Sequence, residues 1–141
     1  MNKLNQYLSN LAVWNIKLHN LHWNVVGPAF VQIHEFSEKL YDEVFEQFDA
    51  VAEIQKMQNS MPLVKISDYL QNSSIQEIDA KNFSADEVLK IIEADMQEML
   101  NLAKEICNEA SKADNFQVAN MFEDYISSFS KHLWFLSAML K

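Results

Sequence analysis

The chain has 141 residues, which is enough for one domain of ordinary size. Hydrophobic residues make up 49%, while one Gly and two Pro are too few turn residues for a β-sandwich or barrel, so long helices are expected. The formal net charge is −9 and every basic residue is Lys, which argues against a nucleic-acid-binding domain of the basic, arginine-rich kind.

The first half of the chain predicts two long helices. Apolar residues recur at three- and four-residue steps from about Leu4 to Val26. Gly27-Pro28 ends this helix, because Gly favours the position just past a helix and Pro cannot continue one. A second helix is expected from about Phe30 to Met57, a stretch without Gly or Pro that stops at residues 59–62.

The second half predicts a long connection and two more helices. Residues 59–83 are too many for a plain turn, and a short helix capped by Ser67 is expected within them. The third long helix starts at the capping box Ser84-Ala85-Asp86-Glu87 and continues to about Ala110. The fourth runs from about Phe116 to Leu140.

These elements together predict an all-α fold. Four long helices with short first and third loops, and one long second connection, are typical of a ferritin-like four-helix bundle. The long connection, with its short helix, lets the second and third helices run parallel. We expect a single domain over residues 1–141.

A metal site inside one bundle is poorly supported. Di-iron bundles of this class usually carry Glu-x-x-His on two helices. None of the four histidines has Glu three residues before it. Any metal site must therefore be built differently.

The second helix carries an acidic stripe. At roughly 100° per residue, one arc of about 120° collects a histidine and six acids, while the apolar residues lie opposite. The arc contains His34, Glu35, Glu38, Asp42, Glu46, Asp49 and Glu53. A solvated helix face is the simplest interpretation of such a stripe, and it stays open.

Two pairs in the stripe favour a metal instead. His34 and Glu38 are four residues apart, as are Asp49 and Glu53, so each pair can share one cation. The pairs are centred roughly 22 Å apart, too far for one metal. An antiparallel two-fold crossing near Glu43–Val44 would bring each pair against the other pair of a second chain, making two equal sites.

His22, near the end of the first helix, could complete each set. Imidazoles and carboxylates form a mixed N/O set suited to Fe(II), with Zn(II) and Mn(II) as competitors.

Several runs of this sequence resemble the Dps family of mini-ferritins over nearly the whole chain. The ligand spacing His-x11-His-x3-acid-x10-Asp-x3-Glu is the most specific part. The matching runs are Lys17 to Phe30 (KLHNLHWNVVGPAF), His34-Glu35, Tyr41-Asp42, Asp49 to Glu53 (DAVAE), Pro62 to Asn72 and Ser130 to Trp134 (SKHLW).

The resemblance implies a hollow shell of twelve subunits, built from two-fold dimers, that oxidises Fe(II) with hydrogen peroxide or dioxygen and stores the ferric mineral. It implies that each di-iron site takes ligands from two chains. These are His22, His34 and Glu38 of one chain with Asp49 and Glu53 of the other, Glu53 bridging. The family often has Asp where Glu38 stands. Trp23 resembles an aromatic residue that takes up stray oxidising equivalents, and the acids of the family's iron-access pores are reduced here to Asp114.

Other residues favour structural roles. We expect His19 to be structural or auxiliary, His132 to be a hydrogen-bonded packing residue and Cys107 to be a small buried hydrophobe. No apolar run approaches about 18 residues, and the N-terminal residues lack a signal-peptide pattern, so a cytoplasmic protein without a membrane partner is expected.

DNA binding is the alternative function. Family members often bind DNA through Lys/Arg-rich tails, but only Lys3 and Lys141 lie near the ends of this chain. With a net charge of −9, tail-mediated DNA binding is not expected.

Overall fold

The computed structural model describes residues 2–141, which form five helices. They are α1 (Asn2–Asn24), α2 (Phe30–Met57), α3 (Ile66–Asn72), α4 (Ala85–Lys112) and α5 (Phe116–Met139). The bounds of α2 are those predicted, and the other long helices differ by one or two residues at their ends. The cap predicted for the short helix is wrong: α3 starts at Ile66 after an extended Lys65, and no side chain caps it.

Side chains and left-handed residues fix where the long helices begin and end. Ser84 accepts from the Glu87 backbone N–H, and the Glu87 carboxylate accepts from the Ser84 N–H, so the predicted capping box is confirmed. After α2 and α4 the backbone turns through Asn59 (φ 59°) and Asp114 (φ 56°). Asn and Asp tolerate this left-handed conformation better than most residues do.

The end of the connection between α3 and α4 is hydrogen-bonded to the end of α1, and this contact sets the direction of α4 relative to α2. Val26 N–H donates to Phe83 O (2.8 Å), and Phe83 N–H donates to Asn24 O (3.0 Å). The end of α1 therefore adjoins both the start of α2 and the start of α4. Helices α2 and α4 begin at the same end of the bundle and run parallel, as the long connection predicted.

The core lies between α1, α2, α4 and α5, and aromatic residues fill its centre. Trp14, Tyr7, Phe122 and Phe129 are fully buried. Tyr7 meets Phe122 edge-on at 4.9 Å between ring centroids, and Trp14 meets Phe129 edge-on at 5.9 Å. These contacts join α1 to α5 and complete the four-helix bundle.

Lys17 and Asp95 form a buried ion pair in the bundle. Lys17 Nζ of α1 lies 2.8 Å from Asp95 Oδ2 of α4, with side chains 6% and 12% exposed. Burial raises the pKa of Asp95, and the ammonium of Lys17 opposes that rise. Each charge therefore depends on the other for its stability inside the protein.

Among residues 2–141, none of the helices combines the length and the apolar character needed to cross a lipid bilayer.

Candidate metal centre

Two histidines from neighbouring helices form the centre of the site. His22 lies in the last turn of α1 and His34 in the second turn of α2, and their rings stack with centroids 3.6 Å apart. His22 Nδ1 is 2.7 Å from the backbone oxygen of His34, and His34 Nδ1 is 2.9 Å from the backbone oxygen of His22. Because a carbonyl only accepts, each Nδ1 donates its hydrogen. In a neutral ring this leaves the lone pair on Nε2, the atom that would bind a metal.

The turn between α1 and α2 sets this arrangement. Gly27 has φ 112°, a conformation that favours Gly, and its carbonyl accepts from Phe30 N–H at 3.0 Å. The tie between Val26 and Phe83 holds the start of the turn against the segment before α4. The backbone thus returns at the spacing that lets the two histidine residues bond to each other's carbonyls.

His22 is buried, and its Nδ1 lies near two polar atoms, the backbone oxygen of His34 and the hydroxyl of Ser37. The residue is only 4% exposed, and Ser37 Oγ lies 3.1 Å from its Nδ1. Burial lowers the pKa of His22, opposed in part by its hydrogen bond to the His34 carbonyl. The imidazole therefore remains neutral, the form that binds metals, to lower pH than an ordinary histidine.

Glu38 is the third candidate ligand of this chain. It lies one turn after His34, and its Oε1 is 3.9 Å from His22 Nε2. One ligand atom from each of His22, His34 and Glu38 lies within 4.8 Å of the other two. Metal–ligand bonds of about 2.1 Å need ligand atoms within about 4.2 Å of each other, so a small side-chain movement closes the set around one cation. We call these residues the three-ligand half-site.

Asp49 and Glu53 lie on the same exposed face of α2, more than two turns further along the helix. Both side chains are exposed, and a hydrogen bond with Asp49 and the charge of Asp49 raise the pKa of Glu53. Two carboxylates this close repel each other unless a proton or a cation lies between them. We call them the two-carboxylate half-site.

One chain therefore holds two incomplete sets. The structure brings together the first three of the five ligands predicted from the sequence, and it places the last two on the same helix face but away from them.

Aromatic rings continue from His22 toward the surface. Tyr41 meets the His22 ring edge-on at 5.1 Å and stacks on His19 at 3.8 Å. His19 in turn meets Trp23 at 5.6 Å, and Trp23 is 67% exposed. Partial burial, and then the charges of Glu38 and Asp42, raise the pKa of Tyr41. Trp23, predicted to act beside the site, is linked to it through His19 and Tyr41.

Two residues for which the sequence predicts structural roles, His132 and Cys107, have the expected surroundings. His132 Nε2 is 2.7 Å from Glu43 Oε2, and the other oxygen of Glu43 accepts from Ser128. Burial alone would raise the pKa of Glu43, but these two hydrogen bonds lower it overall. Cys107 is buried, and burial raises the pKa of its thiol. His132 is thus a hydrogen-bonded packing residue and Cys107 a small buried hydrophobe, as predicted.

An exposed apolar groove lies on the surface formed by α1, α2 and α3. It has a volume of about 380 Å³ and is lined by residues of α1, α2 and α3 together with Glu77. Its wall includes Ile16, Phe45 and Ile66, which are more than 60% exposed. The lining residues are Ala12, Val13, Asn15, Ile16, Phe45, Phe48, Ile66, Tyr69, Leu70 and Glu77. We call it the apolar groove.

Known proteins share both the sequence pattern and the fold. A family model for the Ferritin-like domain matches residues 1–141. The DNA protection during starvation protein of Brevibacillus brevis is 32% identical over 140 residues, 98% of this chain and 92% of that protein. Antigen TpF1 from Treponema pallidum has a crystal structure with a TM-score of 0.97 and 28% identity, covering 99% of this chain and 90% of that one. The Dps protein from Vibrio cholerae, described as a member of a broad superfamily of ferritin-like diiron-carboxylate proteins, has a TM-score of 0.94 and 25% identity, covering 99% and 87%.

Proposed function

Because this chain belongs to the ferritin-like family and, within it, to the Dps proteins, we propose that it oxidises Fe(II) at di-iron sites shared between two subunits. The oxidant is hydrogen peroxide in the first instance, and the ferric product is stored inside a hollow shell. The protein then removes both reactants of oxidative damage, iron and peroxide, at once.

The reciprocal histidine pair is the observation that carries this proposal. A solvated helix face does not need two imidazoles whose Nδ1 atoms both donate to a backbone carbonyl, nor a carboxylate 3.9 Å from one of their Nε2 atoms. Backbone carbonyls in this position fix the tautomer and orientation of metal-binding histidines. Burial also lowers the pKa of His22, which favours the neutral imidazole and supports a cation at this half-site.

A two-fold dimer would complete each site. In an antiparallel crossing centred between residues 43 and 44, residue numbers that sum to 87 meet, so His34 faces the partner's Glu53 and Glu38 faces the partner's Asp49. Asp49 raises the pKa of Glu53 because the two carboxylates lie close together. A bound cation would relieve the repulsion between them. Five ligands would then hold two iron ions, with Glu53 as the bridging carboxylate.

The apolar groove supports this crossing. Phe45 lies next to the proposed axis, and it is 63% exposed in the single chain. Burying one Phe side chain contributes about 1.5–3 kcal/mol, and the axis doubles each contact. A second copy that covers this face therefore gains apolar burial where it also completes the metal sites.

The reaction follows from the ligand set. Carboxylates and imidazoles favour the ferric over the ferrous state, which lowers the reduction potential of the bound iron. Two Fe(II) ions each give one electron to the same peroxide, the O–O bond breaks, and two hydroxides form. No hydroxyl radical is released when both electrons arrive together. Here iron is the substrate, and the protein provides position and charge. Zn(II) and Mn(II) would compete for the same ligands.

A shell of twelve chains at −9 each would carry a formal charge of about −108. The negative electrostatic potential of such a shell attracts Fe(II) and repels the phosphates of DNA. DNA binding, the function that the names of the relatives suggest, therefore ranks second for this chain. Tight binding in a gel-shift assay at low salt without Mg²⁺ would reverse that order. A cytoplasmic location stays a prediction.

Iron oxidation and particle mass test the proposal together. We expect light scattering to give a mass near twelve chains, and His34→Ala or Asp49→Ala to abolish fast peroxide-driven oxidation without changing that mass. Glu35→Ala removes an exposed acid from the same stripe and should leave the rate unchanged. Wild-type rates in the first two variants, or a monomeric protein, would refute the proposed site.

A further inference from the structure

We propose that Ser37 is a positioning residue of the three-ligand half-site, whose hydroxyl oxygen holds the imidazole of His22 with Nε2 turned toward the metal ion. Ser37 is not itself a ligand. The inference rests on the proposed function, because it assigns to Ser37 a part in binding the metal ion at that half-site. No motif in the sequence singles out this serine, which directly precedes Glu38.

The hydroxyl of Ser37 is anchored to the backbone of its own helix. Ser37 lies on α2 and is fully buried. Its Oγ donates to the backbone oxygen of Ile33 at 2.8 Å, one turn earlier, and lies 3.0 Å from the backbone oxygen of His34. A hydroxyl has one hydrogen to donate and two lone pairs that accept. Because both neighbouring groups of α2 are acceptors, the hydrogen is directed to the helix backbone, and a lone pair of Oγ remains for a third group.

That third group is the imidazole of His22. Its Nδ1 lies 3.1 Å from Ser37 Oγ and 2.7 Å from the backbone oxygen of His34. Since both oxygens act as acceptors, the Nδ1–H is shared between them in a three-centre hydrogen bond. A proton on Nδ1 leaves the lone pair of the neutral ring on Nε2, the atom that lies 3.9 Å from Glu38 Oε1. The other tautomer would place a lone pair of Nδ1 against the carbonyl oxygen of His34.

The two histidines of the half-site differ in their need for such a partner. His22 is only 4% exposed, whereas His34 is half-buried. Water can supply a further hydrogen bond to the His34 ring, but a buried imidazole has to find its partners inside the protein. Ser37 provides the second acceptor at the histidine that solvent does not reach.

Metal binding strengthens the contact between His22 and Ser37. When Nε2 binds a cation, electron density leaves the imidazole, and its Nδ1–H becomes a stronger hydrogen-bond donor. The contact is therefore stronger in the metal-bound protein than in the metal-free protein, and this difference contributes to affinity. Loss of a group that hydrogen-bonds to a metal-binding histidine typically costs about 10- to 100-fold in metal affinity. For Ser37 we expect about 10-fold, the lower end of that range, since the His34 carbonyl still orients the ring.

Cobalt(II) is the probe, because it binds imidazole and carboxylate ligands and its binding is measured without iron oxidation. Titration calorimetry of the full-length protein should show a binding step that His34→Ala removes, and Ser37→Ala should weaken that step about 10-fold. Ser9→Ala is the matched control. Ser9 is also fully buried, and its Oγ donates to the backbone oxygen of Asn5, one turn earlier, at 2.7 Å. Its removal costs the same kind of helix bond, but the Co(II) affinity should stay that of the wild type.

Two further measurements separate a positioning role from a general effect on the fold. If Ser37 acts through His22, adding Ser37→Ala to His22→Ala should leave the remaining Co(II) affinity unchanged. In peroxide-driven iron oxidation by Ser37→Ala, the Fe(II) concentration at half-maximal rate should rise about 10-fold. The maximal rate should stay within about twofold of the wild type, because every ligand is still present.

Equal Co(II) affinity in Ser37→Ala and the wild type would overturn the proposal. An equal loss of affinity in Ser9→Ala, or a further loss when Ser37→Ala is added to His22→Ala, would overturn it as well. Failure of the proposed metal site looks different, because the wild type and His34→Ala would then bind Co(II) alike. That result would remove this inference together with its premise.

Discussion

Mixing two inactive variants should restore activity if each site takes ligands from two chains. His34→Ala damages the three-ligand half-site, and Asp49→Ala damages the two-carboxylate half-site. In a two-fold dimer that contains one chain of each kind, one site has both defects and the other has none. Random pairing of equal amounts makes half of the dimers mixed, so about one quarter of all sites should be intact.

The assay is peroxide-driven Fe(II) oxidation followed by stopped-flow absorbance, after the two chains have been refolded together with different affinity tags. Tandem purification through both tags confirms that they share particles. A mixture of His34→Ala with Glu38→Ala is the matched control, because both changes damage the same half-site and no pairing repairs it. Equal recovery in both mixtures, or none in the first despite shared particles, would refute the intersubunit arrangement.

Three further predictions concern stability and pH. Lys17→Met leaves Asp95 as an unpaired buried acid, so urea unfolding should show a loss of about 3 kcal/mol, most of it recovered when Asp95→Leu is added. Asp114→Gly relieves a left-handed residue after α4 and should raise the free energy of unfolding by up to about 1 kcal/mol, measured in the same way. Burial holds the pKa of folded His22 below its ordinary 6.5, so the unfolded chain takes up a proton that the folded chain resists. The metal-free protein should therefore lose stability as the pH falls from above 6.5 toward that lower value, and His22→Gln should flatten this slope.

The sequence predicted the elements that depend on local chemistry. The bounds of α2 followed from a stretch free of Gly and Pro, and the start of α4 from its capping box. The Ser67 cap failed, because the preceding backbone is already extended at Lys65 and the helix starts one residue before that serine. A tertiary contact holds the segment before α3, because Leu63 N–H donates to Asn5 Oδ1 at 3.2 Å, and the local cap pattern does not determine where this short helix begins.

The sequence predicted which residues form the candidate site, but it did not predict how their side chains are oriented. Spacing on α2 placed His34 and Glu38 together, and His22 joined them as expected. The contacts that orient both imidazoles are made by backbone carbonyls. Every residue has such a carbonyl, so these contacts cannot be predicted from residue types. The stack of Tyr41 on His19 depends on the registry of α1 against α2, which hydrophobic periodicity leaves undetermined within a turn.

The reciprocal bonds between the two histidines affect how this site tolerates sequence change. Many metal-binding histidines are oriented by a carboxylate side chain, and a single substitution there disturbs the ligand. Here each imidazole is oriented by the main chain of the other histidine residue. Replacing His22 removes one candidate ligand but leaves the carbonyl that orients His34, and the converse also holds. Apart from Gly27 and Ser37, side chains near the two histidines can therefore change without disturbing the orientation of either imidazole. A comparison of side chains alone would show the two histidines but not the backbone contacts that orient them.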